Sequence, residues 1–226
     1  MNEQQSTAKH GLKVHATHLE ADEREKARML AMLEIDNLIT IRGLAVKSGQ
    51  YGDYVTYPQY KDKDGQYHPV IDFNTDKDGK LTDASKSLKH QIESTLLTMS
   101  KSRATKHENP PPQTPDYSIT AYANLTRKED SAIKAIGSLY VGDLFKINCV
   151  KVCEKKESGE KFVAMPSTLK KDGTYEDKVY FTQSELRDKA QSAMLSKYER
   201  QLAHKNETPA QTPPQMTPNR TTTQLR

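Results

Sequence analysis

Residues 54–67 read YVTYPQYKDKDGQY and residues 162–175 read FVAMPSTLKKDGTY. Laid over each other at a constant offset, without a gap, they share Val55/Val163, Pro58/Pro166, Lys63/Lys171, Asp64/Asp172, Gly65/Gly173 and Tyr67/Tyr175. In each stretch a run of aromatic and β-branched residues favours a strand. Proline has no N–H to donate and ends the ladder pairing. Asp-Gly then supplies a turn, and Tyr67 or Tyr175 starts a return strand. The spacing predicts a strand, a short polar loop and a strand in both places.

The match extends outward. LITIRGLAV (Leu38–Val46) aligns with LFKINCVKV (Leu144–Val152), with Leu38/Leu144, Ile41/Ile147 and Val46/Val152 coincident. The later spacing differs by two residues, absorbed in a turn where an insertion costs little. Lys13–Leu19 alternates and reads as a strand. Arg28–Asp36 has helix-favouring composition, but its counterpart Ser131–Val141 alternates and contains a glycine, so both are assigned to strands. A helix follows each copy. Thr182, Gln183, Ser184 and Glu185 form a capping-box sequence. Leu186, Ala190, Met194, Tyr198 and Leu202 then recur every four residues. The first helix begins near Thr82–Ser85 and carries Leu88, Ile92 and Leu96. Self-similarity at so long a period argues for two copies of a small domain rather than a solenoid.

The expected fold class is α+β, as two tandem small domains. Each is an antiparallel sheet of about five strands followed by a C-terminal amphipathic helix that covers one face of its own sheet. The expected boundaries are a disordered N-terminus over 1–11, a first domain over 12–100, a Pro-rich linker over 101–116, a second domain over 117–205 and a disordered Pro/Thr-rich tail over 206–226. The linker is long enough for the domains to associate through equivalent edges or faces, as in an isologous dimer.

Composition supports thin cores with polar flanks: of 226 residues, 34% are hydrophobic and 28% charged, with a mean hydropathy of −0.86. The net charge of +4 is unevenly placed. Residues 12–100 hold 12 Lys and Arg against 14 Asp and Glu, a net −2, whereas residues 117–205 hold 16 against 12, a net +4. An anionic partner should therefore favour the second half. Cys149 and Cys153 fall in one expected strand, about 13 Å apart, too far to bridge. They read as thiols in a reducing compartment. No apolar run reaches membrane-spanning length and the start of the chain has no secretory segment, so a cytoplasmic protein is expected.

No constellation suggests catalysis. His15 and His18 lie three apart in a strand, on opposite faces, without ligand-spaced partners. Asp62, Asp64, Asp76 and Asp78 lack the register and terminal Glu of a calcium loop and read as turn residues. Walker loops, dinucleotide fingerprints and nucleophile elbows are absent. The sequence implies no enzyme, no cofactor and no metal.

The FVAMPS string at Phe162–Ser167, followed by Asp172-Gly173, a further strand and a terminal amphipathic helix, closely resembles the stage V sporulation protein G family, the SpoVG septation regulators of bacteria. The resemblance covers roughly Ser118–Gln201. Residues Lys13–Met99 look like a diverged copy, with YVTYPQ in place of FVAMPS. Family members are single small domains that dimerise and resemble DNA- and RNA-binding regulators of weak sequence selectivity. The resemblance thus implies a tandem fusion, one chain doing the work of a dimer. There is one departure. The family places Lys-Arg directly after MPS, whereas Thr168-Leu169 and Tyr60-Lys61 stand there in this chain. Lys170 and Lys171 keep the second loop positive, while Lys61 and Lys63 alternate with Asp62 and Asp64.

The expected function is a non-enzymatic DNA- or RNA-binding regulator of the sporulation and septation type. The candidate contacts are Lys170, Lys171, Arg187, Lys189, Lys197 and Arg200 in the second copy, with Lys61 and Lys63 in the first. Such cations contact phosphate and carry affinity without sequence information. Read from the residues alone, lysines beside an exposed turn serve solubility. The expected partners are DNA or RNA through the second copy and the other copy within the same chain. Further self-association stays open, and no membrane is involved. The alternative is a protein-interaction or scaffold module using the tail and the acidic first copy.

Overall fold

The computed structural model describes residues 9–20, 26–111, 115–127 and 130–207. Most of the expected N-terminal extension, part of the Pro-rich segment and the tail beyond Glu207 lie outside the described residues. The first half holds β1 (Leu12–His18), β2 (Ala27–Ile35), β3 (Ile39–Gly49), β4 (Gly52–Thr56), β5 (Gln59–Lys61), β6 (Tyr67–Pro69), β7 (Ile71–Phe73), α1 (Asp83–Ser102) and β8 (Lys106–Asn109). The second holds β9 (Ile119–Leu125), β10 (Ile133–Val141), β11 (Phe145–Glu154), β12 (Lys161–Ala164), β13 (Ser167–Leu169), β14 (Tyr175–Asp177), β15 (Val179–Phe181) and α2 (Ser184–Glu207). The fold is α+β, two sheet-rich halves each followed by a helix.

Alternation decides β2 against its helical composition. Met29, Ala31, Leu33 and Ile35 are buried, while Leu30 between them is 46% exposed. That is the period of a strand with one face on a core. The stripes expected for the helices also lie on the core. Leu88, Ile92 and Leu96 are buried in α1, and Leu186, Ala190, Met194 and Tyr198 in α2. Leu202, the last residue of that stripe, is exposed.

The return strands depart from expectation. Each is split in two. β6 and β14 close the small hairpins β5–β6 and β13–β14. The next three residues leave their own half. β7 pairs antiparallel with β11, placing Phe73 opposite Phe145 and Ile71 opposite Ile147. β15 pairs antiparallel with β3, placing Phe181 opposite Ile39 and Val179 opposite Ile41. Each half therefore supplies a strand to the other's sheet. Hydrogen bonds at the crossings match: Arg42 N–H donates to the Lys178 carbonyl at 2.8 Å, and Asn148 N–H to the Val70 carbonyl at 2.8 Å. The hairpins are anchored alike, by Val70 N–H on the Pro58 carbonyl at 2.9 Å and Lys178 N–H on the Pro166 carbonyl at 2.8 Å. Lys146 and Asp72, opposite each other in this pairing, form an ion pair at 3.0 Å.

Two further expectations change. The Thr182 hydroxyl donates across the halves to the Asn37 carbonyl at 2.7 Å, a bond that the capping-box reading did not include. At α1 the Thr82 hydroxyl accepts the Ser85 N–H at 3.2 Å and donates to the Asp143 carbonyl at 3.0 Å, so a helix start again reaches the other half. Within the segment read as a linker, β8 pairs with β1 along Leu12–His15.

Asp36 is 2% exposed in the β2–β3 turn and gathers the strand ends around it. Its carboxylate accepts the Gly11 N–H at 2.6 Å, His10 Nδ1–H at 2.8 Å and the hydroxyl of Tyr117 from the second half. The His10 carbonyl in turn accepts Gln91 from α1 at 2.6 Å and Asn109 from β8 at 3.0 Å. Burial alone would raise the Asp36 pKa. The hydrogen bonds from His10, Tyr117 and Gly11 outweigh it and hold the carboxyl below its ordinary value. Burial, then the Asp36 carboxylate, push the Tyr117 hydroxyl up.

Matching bulges interrupt both long hairpins. Gly43 lies at the register break of β2 and β3, and Cys149 at that of β10 and β11. Both are left-handed, at φ 82° and 62°. A Cβ on Gly43 would meet only the Pro58 Cβ at 3.6 Å, so the constraint there is φ rather than space. Gly137 is the opposite case, because a Cβ would sit 1.8 Å from the Tyr122 carbonyl oxygen.

Gly43→Ala is expected to destabilise by about 1 kcal/mol, and Cys149→Gly to stabilise by up to about 1 kcal/mol, because a side chain is strained in the left-handed region. Urea midpoints of the two variants, moving in opposite directions, check this. A carboxyl with a depressed folded pKa contributes stability above its unfolded value of about 3.9 and loses it as pH falls through the folded value. Asp36→Asn is expected to cost about 1–3 kcal/mol at neutral pH and to flatten the loss of stability below about pH 4, read as melting temperature against pH.

Candidate nucleic-acid interface

The two hairpin tips are built by turn chemistry. In the first, Asp62 Oδ1 accepts the N–H groups of Asp64 at 2.9 Å and Gln66 at 2.8 Å, and Oδ2 lies 2.7 Å from His68 Nε2. The His68 bond and these amides lower the Asp62 pKa. In the second, Asp172 Oδ1 accepts the Thr174 N–H at 2.9 Å and hydroxyl at 2.6 Å, which lowers its pKa likewise. These carboxylates are spent on their own loops. Lysines at the tips stand on short rigid turns.

The expected cations are not equivalent. Lys171 is exposed at the second tip and has no ion-pair partner among the described residues. Lys170 Nζ pairs with Glu176 Oε1 at 3.2 Å, and Arg42 from the first half takes the same oxygen at 3.1 Å while lying 5.0 Å over the Tyr180 ring. Lys189 turns away from the hairpin and pairs with Asp116 at 2.6 Å. Two residues along a helix rotate the side chain to another face, so Arg187 and Lys189 do not converge. Lys197 is half-buried, and exposed Arg200 returns its Nε–H to the Ser196 carbonyl at 3.2 Å. Both sit about 15–20 Å along the helix from Arg187. In the first hairpin, Lys61 Nζ lies 5.6 Å from the Tyr67 ring centre and Lys63 is exposed.

Two grooves flank the hairpins. One, of about 1050 Å³, runs between the halves, with Arg42, Lys47, Lys89 and Lys178 facing Asp72, Glu176 and Asp177. Its four cations outnumber its three carboxylates by one, and burial lowers the Lys178 pKa. The other, of about 720 Å³, lies within the second half and is lined by Lys151, Arg187, Phe162 and Tyr175. The structure thus joins Arg187 to three residues that sequence reasoning missed. Alternation along β11 offered a signal for Lys151, which lies between buried Val150 and Val152 and so points away from the core. Phe162 and Tyr175 carried none, since strand-forming aromatics are ordinarily core residues. Among the described residues, no group of three or more His, Cys, Asp or Glu side chains is placed to hold a metal, and no helix is long and apolar enough to cross a membrane.

Comparison with known proteins locates the likeness in the second half. The SpoVG family model matches residues 119–200. A protein named septation protein SpoVG from Lachnospira eligens is 35% identical over 74 residues, 32% of this chain and 80% of that protein. Its namesake from Lachnoclostridium phytofermentans is 40% identical over 73 residues, 31% of this chain and 74% of that protein. A third, from Acetivibrio thermocellus, is 37% identical over 84 residues, 36% of this chain and 87% of that protein. No solved structure matches the chain.

Proposed function

The chain belongs, through its second half, to the SpoVG family, and from that premise we propose that it is a non-enzymatic DNA- or RNA-binding regulator acting as a single-chain pseudo-dimer. The observation that carries the reading is the matched exchange of β7 and β15. A family domain fused to a diverged copy of itself would keep its dimer contact inside one chain. An exchange through equivalent strands in equivalent register is one form that such an isologous contact takes and supports the reading. Support for nucleic acid comes from charge. The second half carries the net positive balance, the exposed Lys171 tip and the groove with Lys151 and Arg187.

Phosphate contacts of this kind weaken binding uniformly across sequences when removed, and each lowers the salt slope by about 1. Lys171→Ala and Arg187→Ala are expected to do so. Lys170→Ala is expected to do less, because Glu176 already engages that ammonium. Lys189→Ala and the pair Lys61→Ala/Lys63→Ala are expected to do least. Fluorescence-anisotropy titrations at several salt concentrations check the order. A larger loss from the Lys61/Lys63 pair than from Lys171 and Arg187 would overturn the surface assignment. No binding by the parent at low salt would overturn nucleic-acid binding and leave the protein-interaction module in its place.

A further inference from the structure

The groove in the second half has features that phosphate contact alone does not use. Phe162 is 39% exposed and Tyr175 73% exposed, and both line it. Large aromatic faces left in water forgo the stabilisation of burial. Lys151 and Arg187 line the same groove, and neither has an acidic partner within ion-pair distance among the described residues. Asp177 is the one carboxylate among the lining residues, so the cations are in excess.

The first half does not present this arrangement. Tyr54 and Tyr67 occupy the matching positions in sequence, yet neither lines the groove between the halves. The Tyr67 ring is itself 67% exposed and has the Lys61 ammonium 5.6 Å from its centre, but it stands outside that groove. Where Lys151 stands in β11, the first half has Ala45 in β3. Exposed aromatic rings and cations that line one groove together are therefore a feature of the second half.

A duplex shows a protein its phosphates and groove edges, with its base faces stacked away. A single strand offers both a phosphate and an open base face, and aromatic side chains accept any base by stacking. We propose that Phe162 and Tyr175 stack an unpaired nucleobase while Lys151 and Arg187 hold its phosphates, which makes single-stranded nucleic acid the preferred ligand of the second half. This rests on the nucleic-acid reading above and adds the strandedness of the ligand and the residues that select it.

The test uses the full chain with a labelled oligothymidylate of about 12 nucleotides, the matching oligouridylate to separate DNA from RNA, and a duplex of the thymidylate with its complement. The parent is expected to bind the single strands more tightly than the duplex. Tyr175→Ala and Phe162→Ala are each expected to weaken single-strand binding by roughly five- to a hundredfold, with duplex affinity and salt slope unchanged. Phe162→Leu keeps an apolar side chain without a ring and is expected to lose single-strand affinity while retaining the parent's unfolding midpoint. The chain contains no tryptophan, so Tyr175→Trp introduces a single indole. Its fluorescence is expected to be quenched by the single strand and not by the duplex. Equal binding of strand and duplex, or unchanged single-strand affinity in the ring-deleted variants, overturns the stacking site and leaves the proposed function standing. Failure of the parent to bind either form overturns both.

Discussion

Ile71–Phe73 completes the sheet of the second half and Val179–Phe181 completes the sheet of the first, and the remaining architecture depends on that exchange. Ile71, Val179 and Phe181 are buried where they cross, each stabilising the assembly by about 1.5–3 kcal/mol of apolar burial. Removing either strand would leave Ile39–Ile41 of β3 or Phe145–Ile147 of β11 without its cross-strand partner, an open edge of the kind proteins ordinarily avoid. The helix starts add to the contact, since Thr82 and Thr182 each bond to a carbonyl of the other half. The halves are thereby joined by backbone pairing, side-chain burial and helix-start hydrogen bonds together.

The exchange also fixes where the polar chemistry lies. Each crossing strand follows directly on a hairpin, so both tips are held close to the junction by the Pro58 and Pro166 carbonyls. Arg42 reaches across to Glu176 and Tyr180, which ties the second hairpin to the first half's sheet. Exposed ion pairs of this kind contribute little to stability. Their consequence is positional, since they engage Lys170 and leave Lys171 and Arg187 as the available cations of that surface.

Much of the fold was legible from sequence because two stretches could be read against each other. The alternating segment at Ser131–Val141 resolved the helix-favouring Arg28–Asp36 as a strand, where propensity alone would have misled. The helical stripes were legible because spacing by four needs no tertiary information. The exchange was not legible. A three-residue strand such as Val179–Phe181 carries no mark of which edge receives it, and its apolar pattern suits either sheet. β8 was hidden by its polar sequence, KHEN, beside prolines. Among the candidate contacts, Lys171 and Arg187 were readable from charge and position. The engagement of Lys170 and Lys189 depends on Glu176 and Asp116, whose approach only the folded chain supplies. The aromatic pair was missed because exposure, not identity, distinguishes Phe162 and Tyr175 from core residues.

In the proposed function the chain is a fused pair whose halves complete each other by strand exchange. The most direct measurement is the oligomeric state of the second half expressed alone, residues 117–207, by sedimentation equilibrium. Without Ile71–Phe73, its β11 edge is open and its own Val179–Phe181 strand has no acceptor. The account predicts a homodimer in which each copy gives that strand to the other, while the full chain remains a monomer at the same concentration. A stably folded, monomeric second half would contradict it.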